Sequence, residues 1–354
     1  MKIAILNDTH CGIRNSAEIF LDNAGKFYSE VFFPYLIEND IKQIIHLGDY
    51  YDNRKHINFK ALHQNRKVFL SRLRELGICM DIIPGNHDCY YKNTNDLNAL
   101  KELQGHYMNE VHIVMEPTVM EYGSTKIGML PWINGENYDK SMEFVQTCKA
   151  DILCAHLELN GFEMMRGLKA HDGMDASPFK RFEMVLSGHY HTKSSQYNIH
   201  YLGTQMEFTW ADAHDRKYFH VLDTDTRELT AIHNPHTLFY KILYDDEKCK
   251  DYARMDVSCL DEKFVKIVVI NKKDLFTFDR FVDRIQQRPI HELKISENYD
   301  EFMGSSVSDD GLRVEDTTEL LDSYVDGVKT DLDKDRIKKE MRNFLTEAQT
   351  LEIV

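Results

Sequence analysis

Five short apolar runs, each followed closely by Asp, Asn or His, constrain this chain more than any other feature of it. Ile3-Ala-Ile-Leu6 precedes Asn7-Asp8-Thr9-His10, Ile44-Ile-His-Leu47 precedes Gly48-Asp49-Tyr50-Tyr51-Asp52, and Met80-Asp-Ile-Ile-Pro84 precedes Gly85-Asn86-His87-Asp88. Asp151-Ile-Leu-Cys-Ala155 leads into His156, and Met184-Val-Leu-Ser187 into Gly188-His189-Tyr190-His191. Short apolar runs closed by turn residues fit strands buried on both faces, as in parallel sheets. Open α/β sheets bind ligands beyond the carboxyl ends of their strands, so the five loops can converge on one place.

Between the runs, apolar spacing predicts helices. Ser16 is placed to cap one that carries Ile19, Phe20, Phe27, Val31 and Leu36, with Pro34 kinking or ending it. A second is expected over 59–76, stopped by Gly77, and a shorter one near 95–104. Strand alternating with helix implies parallel strands joined by right-handed crossovers. From about 111 the texture turns to short strands, after which a helix at 138–148 and the strand into His156 restore the earlier pattern. Residues 160–182 read as loop with one helical turn, and strands at 184–187, 198–202, 206–210 and 217–223 imply an antiparallel second half. The expected fold class is α/β, an α+β sandwich of two sheets flanked by helices over 1–235. A small α/β unit over 236–300 follows, then an acidic linker at 301–318 and a helical segment over 319–354. Within the last, Leu332, Ile337, Met341, Phe344 and Leu345 make an apolar stripe that calls for a partner.

Composition narrows the classes. A chain of 354 residues exceeds what one core usually organises. The net charge of −15, of which −9 lies in 296–354, argues against gripping nucleic acid through a broad basic face. No run approaches a membrane span, and the N-terminus enters a strand directly, so a cytoplasmic protein is expected. Seven cysteines without a Cys-x-x-Cys indicate reduced thiols, mostly in the core.

Asp8-x-His10 and His189-x-His191 offer carboxylate and imidazole together, a donor set that suits Mn, Fe or Zn better than Ca or Mg. A shared carboxylate lets two ions sit roughly 3.5–4 Å apart, as two-metal hydrolysis of phosphoesters requires, and Asp49 is the central candidate to bridge them. Each motif alone is ordinary loop chemistry. Their joint occurrence, in order and each after an apolar strand, is not.

Together, Asp8-x-His10, Gly48-Asp49-x-x-Asp52, Gly85-Asn86-His87-Asp88, His156 and Gly188-His189-x-His191 resemble the calcineurin-like metallophosphoesterase superfamily. The motif order and the C-terminal units resemble its SbcD-type DNA repair nucleases. His156-Leu-Glu-Leu-Asn-Gly-Phe162 and Asn53-Arg54-Lys55 are most similar to the branch found in large tailed phages. The resemblance implies one ion on Asp8, His10, Asp49 and His191, and another on Asp49, Asn86, His156 and His189. His87 would meet the scissile phosphate or protonate the leaving oxygen, with Asp88 orienting it. It further implies a Mn2+-dependent DNA exonuclease and endonuclease, with Mg2+ as the alternative ion. The 236–300 unit would cap the DNA groove, 59–76 and 95–104 would pair in a homodimer, and the terminal helix would dock on an SbcC-type coiled-coil ATPase.

Other residues carry smaller expectations. Asp52 supports the Asp49 loop or approaches the metal, and Arg54, Lys55 and His56 either meet DNA phosphates or form a solvated loop. His46 is expected to be a satisfied core histidine, and Trp132 and Trp210 packing residues. Competing functions are a protein phosphatase or cyclic-nucleotide phosphodiesterase, against which stand Asn53-Arg54 after Asp52 and Asp88 in place of Glu, and a non-catalytic scaffold.

Overall fold

The computed structural model describes residues 1–165, 168–249, 251–297, Val325 and 333–351, the side chains of His106 and 345–351 excepted. The chain divides into one unit of Met1–Tyr240 with Glu262–Phe264 and a second of Lys241–Asp261 with Val265–Val354. In the first unit the strands are, in chain order, β1 (Lys2–Leu6), β2 (Gln43–His46), β3 (Cys79–Ile82), β4 (Val111–Ile113), β5 (Thr118–Tyr122), β6 (Thr125–Leu130) and β7 (Ile152–His156). They continue with β8 (Glu163–Met165), β9 (Leu168–Lys169), β10 (Met184–Gly188), β11 (Ser194–Gln196), β12 (Ile199–Tyr201), β13 (Lys217–Asp223) and β14 (Leu229–Asn234).

Two six-stranded sheets result, ordered β14-β13-β1-β2-β3-β4 and β11-β12-β10-β7-β6-β5. Pleating sends alternate residues of each strand to different cores. Ile3, Ile5 and Ile45 of the first sheet join Ile152, Cys154 and Leu186 of the second in one buried cluster, the filling between the sheets. Ala4, Leu6 and Ile44 instead pack with Phe27, Phe32, Phe69 and Leu73 from the helices. Leu153, Ala155 and Val185 pack with Val145 and Phe179 on the far face of the second sheet. Burial on both faces is why these strands read as continuous apolar runs. Truncating one such side chain to Ala costs about 2–5 kcal/mol.

Strands β1 to β4 run parallel to one another, and β6, β7, β10 and β12 likewise. Register aligns their ends: Leu6 lies beside His46, His46 beside Ile82, and His156 beside Gly188. The loops after β1, β2 and β3 in one sheet, and after β7 and β10 in the other, therefore open at one edge of the sandwich.

The second unit is built on a three-stranded sheet, β15 (Phe239–Asp245), β16 (Phe264–Asn271) and β17 (Glu292–Glu297), with a helix at Leu275–Gln286. Asp274 caps that helix on the Thr277 amide, and Phe278, Phe281 and Ile285 are its buried face. A terminal helix covers Lys334–Leu351. The linker expected at 301–318 lies outside the described residues. Among the described residues no helix is long and apolar enough to cross a membrane.

Several local expectations are corrected. The second half is only partly antiparallel: β13 pairs so with β1 and β14, and β11 with β12, whereas β10 pairs in parallel with both β7 and β12. Residues 206–210 are not a strand: Asp212 Oδ2 accepts from the Phe208 and Thr209 amides and folds the chain into a turn over Trp210–Asp212. Ser16 does not cap a helix. It adopts a positive φ of 61°, its hydroxyl turns back to Gly12 O, and the helix begins at Glu18. Pro34 does not end that helix: a wide turn at Phe27–Phe32 precedes it and helix continues to Glu38. Residues 160–182 hold the β8–β9 hairpin and a turn at Ser177–Arg181. Of the seven cysteines three are exposed, Cys79, Cys249 and Cys259, so the thiols are not mostly core.

Candidate metal centre

Each loop leaves its strand through a backbone shape that few residues tolerate. Asp8, His10, Asp49 and His189 all have positive φ, at 46°, 42°, 53° and 90°. Such non-glycine conformations cost of order 1–3 kcal/mol each and persist where surrounding contacts impose them. Here the contacts are backbone bonds between the first two loops, Asp8 N to Gly48 O at 2.9 Å and His10 N to Asp49 O at 3.1 Å. Glycines let the loops touch. A Cβ on Gly85 would run into the Asp49 carboxylate, and one on Gly48 would lie 2.6 Å from Gly85 N.

Three groups of donors converge. Asp8, His10 and His191 form one and Asp49, His156 and His189 another, each with its ligand atoms within 4.8 Å of one another. Asn86 joins the second, its Oδ1 lying 3.0 Å from His156 Nε2 and 2.9 Å from His189 Nδ1. Asp49 Oδ2 faces both, 3.4 Å from His156 Nε2 and 4.0 Å from His10 Nε2. The third group is His10, Asp52 and His87. The first sheet thus supplies Asp8, His10, Asp49, Asn86 and His87, and the second His156, His189 and His191.

Hydrogen-bond accounting tests whether cations fit here. His156 Nδ1 lies 2.7 Å from Leu47 O, an atom that only accepts, so Nδ1 carries a proton and, in the neutral ring, Nε2 is left with a lone pair. That lone pair faces two more acceptors, Asn86 Oδ1 and Asp49 Oδ2. His10 Nε2 and His191 Nε2 likewise meet at 3.1 Å, while His10 Nδ1 has no well-formed hydrogen bond and lies 3.4 Å from Asp52 Oδ1. Asp8 and Asp49 are buried, and among the described residues only histidines lie within ion-pair distance of them. Uncompensated buried carboxylates are costly. Positive charge between these acceptors removes the conflict, either as a proton on the ring or as a cation in its place, and the imidazole and carboxylate donor sets fit a pair of divalent ions.

Titration follows from the same charges. Burial works against charging His10 and His156, yet neighbouring carboxylates, Asp52 and Asp49 for His10 and Asp49 and Asp8 for His156, lift each to about 9. Burial and the neighbouring imidazoles depress His189 and His191, the latter to about 3. Burial raises Asp8 to about 6, whereas against burial His156 and His87 hold Asp49 well below the ordinary carboxylate range. Burial lowers His87, whose Nδ1 lies 2.7 Å from Asp52 O and whose ring meets the His10 ring edge-on at 4.9 Å.

A calcineurin-like phosphoesterase profile matches residues 1–193, ending just past the His191 loop. The chain belongs to the calcineurin-like phosphoesterase family. It is 30% identical over 341 residues to exonuclease subunit 1 of Enterobacteria phage T4, covering 95% of each chain. A solved archaeal phosphodiesterase matches 66% of this chain and 100% of its own at 14% identity, with a TM-score of 0.34, a likeness too slight to build on. As a member of this family the protein is a metal-dependent phosphodiesterase.

Some expected roles move within this phosphoesterase site. Asp88 does not orient His87 through its carboxylate, which is taken up by the amides of Gly85, Tyr50 and Tyr51 at 2.9–3.3 Å and so ties the second loop to the third. Burial and Asp49 raise it to about 7. His46 is half satisfied, with Nε2 3.1 Å from Thr9 Oγ1 and Nδ1 unpartnered, and burial lowers it to about 3. Trp132 stands at the site, its ring centroid 5.3 Å from His189 and 5.8 Å from His156. It follows β6, whose parallel pairing with β7 brings its end to the same edge, a signal present in the Pro131-Trp132 that closes the strand.

Two supports escaped sequence reasoning. Lys217 is buried, and its ammonium donates to Asp212, Asp215 and the carbonyl of His191. Burial opposes both charges, yet their attraction keeps Lys217 raised and Asp212 lowered. Phe208, held by Asp212, packs edge-on against His10 and His191 at 5.7 and 6.0 Å.

Proposed function

We propose that the protein is a Mn2+-dependent DNA nuclease, an exonuclease on duplex ends and an endonuclease on single strands. It works as the nuclease subunit beside an SbcC-type coiled-coil ATPase in recombination and repair, as a homodimer in the cytoplasm. The observation that carries the metal chemistry is the convergence of His156 Nε2, Asn86 Oδ1 and Asp49 Oδ2 on one space, three acceptors once the His156 ring is neutral. Asp8, His10 and His191 would hold one ion, Asn86, His156 and His189 the other, and Asp49 would serve both. The mixed imidazole and carboxylate set favours Mn2+ over Mg2+. When bound, such ions polarise a phosphoryl oxygen and stabilise in-line displacement.

The chain's own residues supply the rest. Asp52 O pins His87 Nδ1 and leaves Nε2 for substrate. Burial keeps the ring neutral until a phosphodiester anion beside it favours uptake of a solvent proton at Nε2, from where that proton passes to the departing oxygen as its bond to phosphorus breaks. The extension over a T4 protein named an exonuclease subunit supports a partner. So does the terminal helix, where Ile337, Met341 and Phe344 recur on one side and Phe344 is 66% exposed.

Purified protein with Mn2+ and end-labelled linear DNA, beside a His87→Ala variant, tests this. Cleavage is expected to fall about 10²–10⁴-fold in the variant at unchanged metal content. Equal product from both would remove His87 from the chemistry, and activity confined to small phosphoesters would end the nuclease reading. Deleting 331–354 is expected to abolish association with the ATPase and leave metal binding intact.

A further inference from the structure

Three residues past His87, Tyr90 and Tyr91 stand at the surface, 36% and 53% accessible. Their rings meet edge to face with centroids 4.7 Å apart, and the Lys55 ammonium lies 5.8 Å from the Tyr90 ring. The loops that carry them are those that build the metal centre. Asp88 binds the Tyr50 and Tyr51 amides, His87 N donates to Asp49, and His87 Nδ1 meets Asp52 O. Asn53 Oδ1 accepts from the amides of Lys55 and His56, fixing the turn that presents the basic run Arg54-Lys55-His56. Lys92 adds an exposed cation to the same loop, where Asp96 is paired with Lys101. Positive charge thus gathers beside two exposed rings on a chain of net charge −15. From His87 to Tyr90 the backbone spans at most about 11 Å, within reach of a nucleotide next to one held at the centre.

We propose that Tyr90 and Tyr91, with Lys55 beside them, form a stacking ledge for the unpaired nucleobase adjacent to the phosphodiester being cut. The inference rests on the nuclease reading above and adds a substrate preference to it. Every base offers a π face, so the ledge accepts any sequence, while a base held within closed duplex cannot reach it. Lys55 meets the neighbouring phosphate. Frayed ends and single strands are therefore favoured over closed duplex.

The test compares a labelled 15-mer of thymidylate with the same backbone carrying abasic residues, by fluorescence anisotropy on metal-free protein in EDTA. Circular dichroism and metal uptake check that each variant is folded. Stacking of one or two bases predicts that Tyr90→Ala with Tyr91→Ala weakens thymidylate binding roughly tenfold or more, and abasic binding less than about twofold. Tyr90→Phe with Tyr91→Phe retains both affinities. Equal binding of the two oligomers by the unaltered protein, or equal loss on both in the Ala variant, overturns the ledge. A change from dimer to monomer with thymidylate binding intact overturns it too, and makes the rings a contact between copies. Failure of the unaltered protein to bind or cut any DNA, while it hydrolyses bis(p-nitrophenyl) phosphate, defeats the nuclease reading itself.

Discussion

Two histidine and carboxylate clusters each draw on both six-stranded sheets, and they reach opposite outcomes. Within β3, Asp81 accepts from Gln43 Nε2 at 2.6 Å and Tyr122 OH at 2.8 Å, and lies 3.0 Å from His112 Nδ1. Every donor there meets an acceptor, on ordinary strand backbone. Beyond the strand ends, once the His156 ring is neutral, His156 Nε2, Asn86 Oδ1 and Asp49 Oδ2 turn acceptors toward one space, on loops holding four non-glycine residues at positive φ. Residue types alone do not separate the two clusters. What separates them is whether the hydrogen bonds close, and where they do not, a cation is called for.

The sharpest break of that contrast is Asp49→Ala. Asp49 Oδ2 faces both donor groups, so its removal is expected to empty both ion positions and lower hydrolysis by on the order of 10³–10⁴-fold. Metal analysis that still finds two ions would show that Asp49 is not shared. Protons probe the same conflict. His10 and His156 titrate near 9 in the metal-free protein, so at pH 7 each carries a proton that a metal must displace. Metal affinity is expected to climb between pH 7 and 9, by up to about tenfold per pH unit for each proton released, and to level above 9. Folding responds with the opposite sign. Raised pKa values stabilise the metal-free protein fully below about 6.5, and that contribution fades as pH rises through about 9. Calorimetry in buffers of different ionisation enthalpy counts the released protons, and a count near zero would contradict the assignment.

Much of this edge was legible because parallel strands buried on both faces leave a plain mark: an apolar run, then a turn residue, then a ligand type. Asp8, Asp49, Asn86, His156 and His189 all lie within four residues of such an end. Supports whose meaning depends on tertiary neighbours were not legible. Lys217 lies in a strand, and nothing local says that its ammonium meets His191 O. Asp88 looked like a partner for its neighbour His87, but three backbone amides reach it first. The alternating segment Met206-Glu-Phe-Thr-Trp210 reads as a strand, but Asp212 captures two of its amides, a contact that outweighs weak strand propensity.

Asp52→Asn sharpens the comparison at one half of the centre. Its carboxylate stands 3.4 Å from His10 Nδ1, where it can fix the ring and raise its basicity. The substitution is expected to weaken metal at Asp8, His10 and His191 roughly 10- to 100-fold and to spare the other position. Stepwise titration with Mn2+ separates the two, and equal weakening at both would mean that Asp52 supports the whole loop.

The smallest functional effect is expected at Asp81, where the hydrogen bonds already close. Asp81→Leu removes the acceptor shared by Gln43 Nε2 and the buried Tyr122 hydroxyl, and leaving these donors unpaired costs about 1–3 kcal/mol of stability. Urea denaturation reads that loss directly. Metal content and phosphodiesterase rate should stay within about twofold, because no ligand atom of the centre depends on Asp81. A variant that kept its stability but lost metal would put Asp81 in contact with the centre through the sheet, and the division between closed and open clusters would no longer hold.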